Sequence, residues 1–367
     1  MDPLIITATA NICLLFPDVP YPLTVEEITT EATLCEQAGA CIFHIHAEKR
    51  WSEVINAVRH QTELVIQCGM SSLPITERMA VWTEHSDMIS MSLSHHDQAF
   101  NGQDVHVLHP REELEEDMRL CHQYHVKPEL EVWHAGSIWN MHYLLNKGLL
   151  PAPYFTTLFF GWPGGSWSPP TSEEYLHRRR LMPQGSVINV SSMGPEQKNI
   201  LAAAILNGDH IRVGTQDYPY IQETLAPTHE LVAEAADLAH HFRRAIATAE
   251  EARSILGLIH RRCQSVLSLL ELDELWSFVL KKARDSWIWI ALCRKTRQVV
   301  AYAVGDQSKK TCQRLWEAIP AAYRQGHCFT DFWAAYKAVI PKRRFLWNGS
   351  QLSWIHRHGS PPYAGSL

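Results

Sequence analysis

The sequence predicts an α/β chain in two parts: a closed (β/α)₈ barrel of the TIM type, then a smaller, partial α/β segment. Three observations predict it. Short apolar runs alternate eight times with amphipathic helical patterns between Leu4 and Leu256. Those runs are nearly continuous in apolar residues, as strands of a parallel sheet buried on both faces must be. After Gly257 the pattern changes to three consecutive strand-like segments at hairpin spacing, followed by a helix.

The eight barrel strands read as Leu4–Asn11, Cys41–Ala47, Leu64–Gly69, Met88–His95, Lys127–Trp133, Tyr154–Gly161, Ser186–Gly194 and His210–Asp217. Helical patterns such as Thr24–Ala38, Pro110–Tyr124 and Pro195–Asn207 lie between them. Thr24-Val-Glu-Glu has the form of a capping box and Gly39 supplies the stop; Thr171-Ser-Glu-Glu repeats the start. A doubly wound open sheet is the architectural alternative. It normally carries a Gly-rich phosphate turn after its first strand, where this chain has Asn11-Ile12-Cys13-Leu14. Thr228–Leu256 reads as one long final helix, with Leu231, Val232, Ala235, Leu238, Ala239 and Phe242 on its apolar stripe and Gly257 as its stop.

Beyond it, Leu270–Val279, Ser286–Cys293 and Val299–Gly305 read as strands, Lys309–Tyr323 as a helix and His327–Phe332 as a further strand. That order opens a ribonuclease-H-like fold. The expected organisation is a barrel over 1–258, a junction over 259–269, the partial ribonuclease-H-like segment over 270–341, and an irregular tail over 342–367 that reads as disordered or frame-shifted.

Composition narrows the function classes. A chain of 367 residues with 46% hydrophobic and 20% charged content is an ordinary globular protein with apolar residues enough for a large core. A formal charge of -6 argues against a chain-wide nucleic-acid surface, although Lys281–Arg344 is locally basic. Nine cysteines without C-x-x-C pairs indicate neither a zinc ribbon nor a disulfide framework. With no basic leader and no apolar run approaching about 18 residues, the expectation is a cytoplasmic protein with no membrane association.

Barrel chemistry sits at the C-terminal ends of the strands. His44 and His46 are two apart, so they share a face at the end of strand two. Two imidazoles there, with a donor from another strand, make an open site for zinc or a similar divalent ion; each is equally readable as a hydrogen-bonded core histidine. On strand eight, Arg212, Gly214 and Gln216 share a face and Asp217 opens the next loop. That Arg and Asp can be a plain structural ion pair, or a device that fixes a carboxylate substrate and holds a base ionised.

The segments ITATAN, TVEEITTEATLCEQAGA, CIFHIHA, KPELEVW, ILAAAILNGDHIRVGTQD and ATAEEARSILGL occur in order from about Ile5 to Leu258, and together they resemble the β-keto acid cleavage enzymes, the family of 3-keto-5-aminohexanoate cleavage enzyme. The resemblance implies a metal-dependent barrel that joins a β-keto acid and acetyl-CoA to give acetoacetate and a new acyl-CoA. It implies His44 and His46 as zinc ligands, Arg212 as an orienting cation and Asp217 as the acid–base group. Ser92 and Glu131 are, by position, candidates for substrate contact, and a homo-oligomer is expected. Two departures stand out. Gln216 occupies the place of the usual third ligand, a Glu, and Leu14 that of an acidic residue near the end of strand one; the segment from Ala47 to Trp51 is also shorter than the usual loop. A weakened metal site and a divergent substrate preference are both consistent with them.

In the second part, LELDELWSFV, WIWIAL, RKTRQVVAYAVGD and YRQGHCFTDFWAAY resemble the DDE transposases of bacterial insertion sequences over about 270–341. Asp273 and Asp331 would be two of the three acids that hold Mg²⁺ for phosphoryl transfer; alternatively they are two surface acids in a small α/β unit. The third acid and the DNA-binding segment have no counterpart here. The segment is therefore expected to be an inactive remnant, DNA an unexpected partner, and its Trp276, Trp287, Trp289 and Trp333 exposed.

Overall fold

The computed structural model describes residues 2–12, 16, 18–47, 50–69, 71–84, 86–100, 103–161, 168–258, 270–277, 286–293, 299–320, 323–325, 328–330, 334–341 and 345–347. The chain divides into two compact units, Met1–Arg262 and Cys263–Leu367.

The first unit is the closed barrel. Its strands are β1 (Ile6–Thr9), β2 (Ile42–Ile45), β3 (Val65–Cys68), β4 (Met88–Ser92), β5 (Lys127–Val132), β6 (Tyr154–Phe160), β7 (Ser186–Ser192) and β8 (His210–Gly214). Each pairs in parallel with its sequence neighbours, and β8 closes on β1 with Thr9 opposite Gly214. The closure is tight: a Cβ on Gly214 would lie 2.1 Å from the Thr9 carbonyl oxygen, and its φ of 145° is one an L side chain avoids. Helices α1 (Val25–Ala38), α2 (Trp51–Gln61), α3 (Ile75–Thr83), α4 (Arg111–Tyr124), α5 (Ala135–Asn146), α6 (Ser172–Leu181), α7 (Gln197–Leu206), α8 (Thr228–His241) and α9 (Ala249–Leu256) follow the strands. The Thr24 capping box and the left-handed Gly39 cap bound α1 as the sequence predicts. Two short hairpins, His96–Phe100 with Gln103–Val107 and Tyr220–Ile221 with Thr224–Leu225, decorate the loops after β4 and β8.

The single helix expected over Thr228–Leu256 is two helices. Arg243 takes a left-handed φ of 55°, and the chain between α8 and α9 crosses the bottom of the barrel. Leu4 N donates to Ala245 O at 2.7 Å, Ala247 N donates to Leu4 O at 2.8 Å, and the Arg244 guanidinium donates to the carbonyls of Ile205, Gly208 and Asp209. Those tertiary bonds replace helical ones, and Thr248 restarts the helix with its own capping box. Helix α9 then buries Ala252 and Leu256 against Ile5, Cys41, Val65, Met88 and Phe155, which seals the N-terminal face.

In the second unit, β9 (Leu270–Ser277), β10 (Ser286–Cys293) and β11 (Val299–Gly305) are antiparallel neighbours. After α10 (Lys309–Ala318), β12 (Cys328–Thr330) pairs in parallel with β9. Helix α11 (Ala334–Val339) follows, and β13 (Phe345–Trp347) pairs with β12 inside the segment expected to be irregular, because Phe345, Leu346 and Trp347 extend the sheet by one parallel edge. The expectation of exposed tryptophans is corrected at two positions. Trp289 is fully buried, edge-on to Tyr336 at 5.3 Å and donating its indole N–H to Asp306 O, and Trp287 packs against the same core. The unit's own apolar residues, Leu315, Ile319, Tyr336 and Ile340 among them, supply the cover. Asp273 lies on β9 opposite Ile290; its side chain, that of Trp276, and the whole of Asp331 and Trp333 lie outside the described residues.

Candidate active site at the barrel mouth

The described side chains at the C-terminal end of β2 converge on one point. His44 is buried, and its Nε2 lies 3.0 Å from Nε2 of His46 with the rings inclined at 67°. On its other side His44 donates from Nδ1 to Gln67 Oε1 at 2.8 Å, which leaves the lone pair on Nε2 facing the convergence. Burial, the charge of Arg212 and the neighbouring His46 hold His44 far below the usual imidazole range. Burial and Arg212 push His46 down to about 4. Both rings therefore stand neutral at neutral pH, the form that binds metals.

Space for the two rings comes from Gly69, just past β3. A Cβ there would lie 2.5 Å from His46 Cε1, 2.6 Å from His46 Nε2 and 2.9 Å from His44 Nε2. Asn11, at the end of β1, brackets His46 from the other side: its Oδ1 accepts from His46 N at 2.8 Å and its Nδ2 donates to His46 O. Gln216, after β8, contacts His46, and its Oε1 is buried without a hydrogen-bond partner among the described residues. Two imidazole nitrogens and an orphaned amide oxygen are a donor set that a borderline divalent ion such as zinc accepts. Among the described residues no group of three His, Cys, Asp or Glu completes such a site.

Arg212 connects the rest. Its Nε and Nη2 reach Asp217 Oδ2 and Oδ1, each at 3.0 Å, and Ser191 Oγ donates to Asp217 Oδ2 at 2.7 Å. Both partners are fully buried, and the guanidinium lies over the Phe159 ring at 5.0 Å. Burial alone would lower the Arg212 pKa, but Asp217, Glu129 and Glu131 outweigh it and keep the cation above its ordinary range. Glu131 accepts from Ser71 Oγ at 2.8 Å and from Trp133 Nε1 at 3.3 Å. Burial and the charge of Glu129 raise its carboxyl to about 7 against the pull of Arg212. Glu129, one pleat deeper, accepts from Ser90 and Thr157.

His44, His46 and Gln216 thus share one cluster, and the Arg212 charge ties it to Asp217 and Glu131. Ser92 is buried on β4 beside Glu131 in register, but its hydroxyl donates to Ser94 O at 3.1 Å. Leu14, Glu48 and Lys49 lie outside the described residues. Sequence reasoning missed Asn11, Gln67, Gly69, Ser71, Ser191 and Glu129. Gly69 closes a strand whose other residues are apolar apart from Gln67, and a glycine there is a signal of close approach.

The model of the family described as beta-keto acid cleavage enzyme matches residues 4–258. The chain belongs to the beta-keto acid cleavage enzyme family. Its barrel is 31% identical over 261 residues to the 3-keto-5-aminohexanoate cleavage enzyme of Fusobacterium nucleatum subsp. nucleatum, covering 66% of this chain and 92% of that one. It is 25% identical over 274 residues to the 3-dehydrocarnitine:acetyl-CoA trimethylamine transferase of Rhizobium meliloti, covering 65% of this chain and 91% of that one. The solved apo structure of ObcA superposes with a TM-score of 0.54 at 17% identity over 65% of each chain, a likeness of fold. Residues 266–360 match the IS1 transposase model. That segment is 40% identical over 78 residues to the iso-IS1n protein InsB of Shigella dysenteriae, covering 21% of this chain and 59% of that protein. The cleavage-enzyme family and its named members are enzymes acting on keto acids, several with acetyl-CoA. No helix among the described residues is long and apolar enough to cross a membrane.

Proposed function

We propose that the barrel condenses a β-keto acid with acetyl-CoA to give acetoacetate and a new acyl-CoA, with zinc or a similar divalent ion held by His44, His46 and Gln216. The observation that carries the reading is the meeting of the two Nε2 atoms at 3.0 Å beside the unpartnered Gln216 Oε1. Relatives named for acetyl-CoA-dependent transfers on keto acids supply the reaction class. When bound, the ion polarises the keto and carboxylate oxygens of the substrate.

The chain's own groups do the rest. Arg212 holds Asp217 in a fixed pose, and Asp217 Oδ2 is already engaged by Arg212 Nε and Ser191. Among the described residues Oδ1 accepts one bond, donated by Arg212 Nη2, so Oδ1 is the atom that takes up a proton from substrate. Burial and the Glu129 charge raise the Glu131 carboxyl, which favours the neutral form that can donate to a substrate oxygen. Ser92, whose hydroxyl donates to Ser94 O, stands beside Glu131 in register, a place from which it can contact substrate. Gln216 adds a dipole where a carboxylate would add a charge, so the ligand set is neutral and binds its ion more weakly than a two-His, one-Glu set.

The test is metal content of the purified full chain together with acetyl-CoA consumption over a panel of β-keto acids. Replacing His44 and His46 by Ala should abolish both; full metal retention in that variant would sink the ligand assignment. A wild-type chain that holds metal but consumes no acetyl-CoA with any keto acid would sink the reaction. No transposition by the second unit is proposed, since it spans just over half of its relative's length.

A further inference from the structure

Register places Asn11 where it can act on His46. Strands β1 and β2 pair in parallel with Thr7 opposite Ile42 and Thr9 opposite His44, so the next inward position of β1, residue 11, stands opposite residue 46. The backbone ladder ends at His44, and the Asn11 side chain continues it. Its amide oxygen takes the His46 N–H at 2.8 Å and its amide nitrogen gives to the His46 carbonyl, so both halves of one peptide unit's partner are mimicked by a side chain. Asn11 is 6% exposed. An amide this deep is fully satisfied only while His46 keeps its present backbone pose. On the opposite side Gly69 N donates to Ile45 O at 2.8 Å, and the missing Cβ of Gly69 leaves the slot that the His46 ring fills. His46 lies past the last residue of its strand, yet it is clamped on both sides.

We propose that Asn11 is the positioning residue for His46: its bracket on the His46 peptide holds the imidazole in the orientation that converges with His44. The proposal rests on the metal-dependent reading for its consequence and not for its geometry. Supports of this kind change metal affinity by about 10- to 100-fold when removed, because the ligand must then be ordered at the moment of binding.

The experiment uses the full chain with Asn11→Ala, and Thr62→Ala as a stability control; Thr62 Oγ1 donates to Val58 O at 2.9 Å at the far end of the barrel. Zinc affinity is read by competition with a chelating dye, coordination by the visible spectrum of added Co²⁺, and His46 itself by imidazole ¹⁵N shifts in the metal-free chain. Asn11→Ala should weaken zinc about 10- to 100-fold, alter the Co²⁺ bands and shift the His46 nitrogens, while Thr62→Ala lowers Tm and leaves all three unchanged. Wild-type zinc affinity in Asn11→Ala overturns the proposal, as does an equal loss in Thr62→Ala. If the wild-type chain binds no zinc, the metal-dependent reading fails. The metal-free spectrum then decides alone: His46 nitrogens unshifted in Asn11→Ala overturn the positioning role, and shifted ones support it.

Discussion

Gly69→Ala is the smallest change that should disable the candidate site. The added methyl carbon would sit 2.5 Å from His46 Cε1, 2.6 Å from His46 Nε2 and 2.9 Å from His44 Nε2. Non-bonded carbon contacts settle near 3.5 Å, so the His46 ring must withdraw by about 1 Å. Gly69 has no left-handed φ, so the substitution adds bulk without backbone strain. Metal–ligand distances tolerate about 0.2 Å, and a displacement of about 1 Å misplaces a reacting group enough to cost about 100-fold. We expect zinc affinity, measured by dye competition, to fall by about 100-fold or more, equivalent to about 2.7 kcal/mol. Overpacking of this order destabilises by about 1–3 kcal/mol, or a Tm loss of about 2–10 °C for a unit of this size. Gly148→Ala is the matched control: its φ of 68° strains an Ala, but nothing lies within 4 Å of the new Cβ. Gly69→Ala with wild-type zinc affinity and turnover, in an assay where the His44 and His46 alanine variants lose both, would refute the convergence as the functional centre.

Gln216→Glu should tighten divalent binding on the order of tenfold, about 1.4 kcal/mol, and raise turnover, because the buried, unpartnered oxygen becomes a charged donor; unchanged affinity in a metal titration would show that Gln216 belongs to another site design. Truncation after Leu258 should leave a folded barrel with improved solubility, since α9 already seals its bottom with Ala252 and Leu256; limited proteolysis should release a resistant N-terminal fragment, and an unfolded truncation product by circular dichroism would contradict this. His210 titration should make the barrel acid-sensitive: Nδ1 accepts from Ile5 N at 3.0 Å, and burial together with the Arg244 charge pushes the imidazole down to about 3. The unfolded histidine protonates near 6.5 and the folded one does not, so stability present above pH 6.5 is lost as pH falls towards 3, at about 1.4 kcal/mol per pH unit. His210→Gln, whose amide oxygen can still accept from Ile5, should flatten the pH slope of urea unfolding by that amount, and an unchanged slope would contradict the assignment.

The barrel was legible because its strands are short, apolar and evenly separated by capped helices, signals that act within a few residues. Thr24, Gly39 and Gly257 cap helices as read, since capping is local chemistry. The break between α8 and α9 was not legible. No Gly or Pro marks residues 242–247, and what turns the chain is the pairing with Leu4 and the carbonyls that bind Arg244, more than two hundred residues away in the case of Leu4. The candidate site divides in the same way. His44 and His46 lie two residues apart at the end of β2, and Arg212 and Asp217 five apart at the end of β8, so spacing alone brings each pair together. Asn11, Gln67 and Gly69 reach the histidines only through the register of neighbouring strands, which no single segment encodes. The Trp289 environment was misjudged for a related reason: its cover comes from Tyr336, a residue outside its own hairpin.

The two units raise separate questions. The described residues of the candidate site run from Asn11 to Asp217, and the seal beneath them ends at Leu256, all within the first unit. The second unit in turn buries Trp289, Leu315 and Tyr336 among its own residues. Under the proposed ligand set, the charge around the ion is the quantity to test. Two neutral imidazoles and an amide bring no negative charge to a divalent ion, while the Arg212 cation lowers both histidines from close by. The carboxylates that compensate Arg212 are Asp217, Glu129 and Glu131, which makes their collective charge the term that offsets Arg212 at the ion's position. An ion held there depends on that balance as much as on its direct donors. Gln216 is the position where one substitution shifts it without disturbing the Arg212–Asp217 pair.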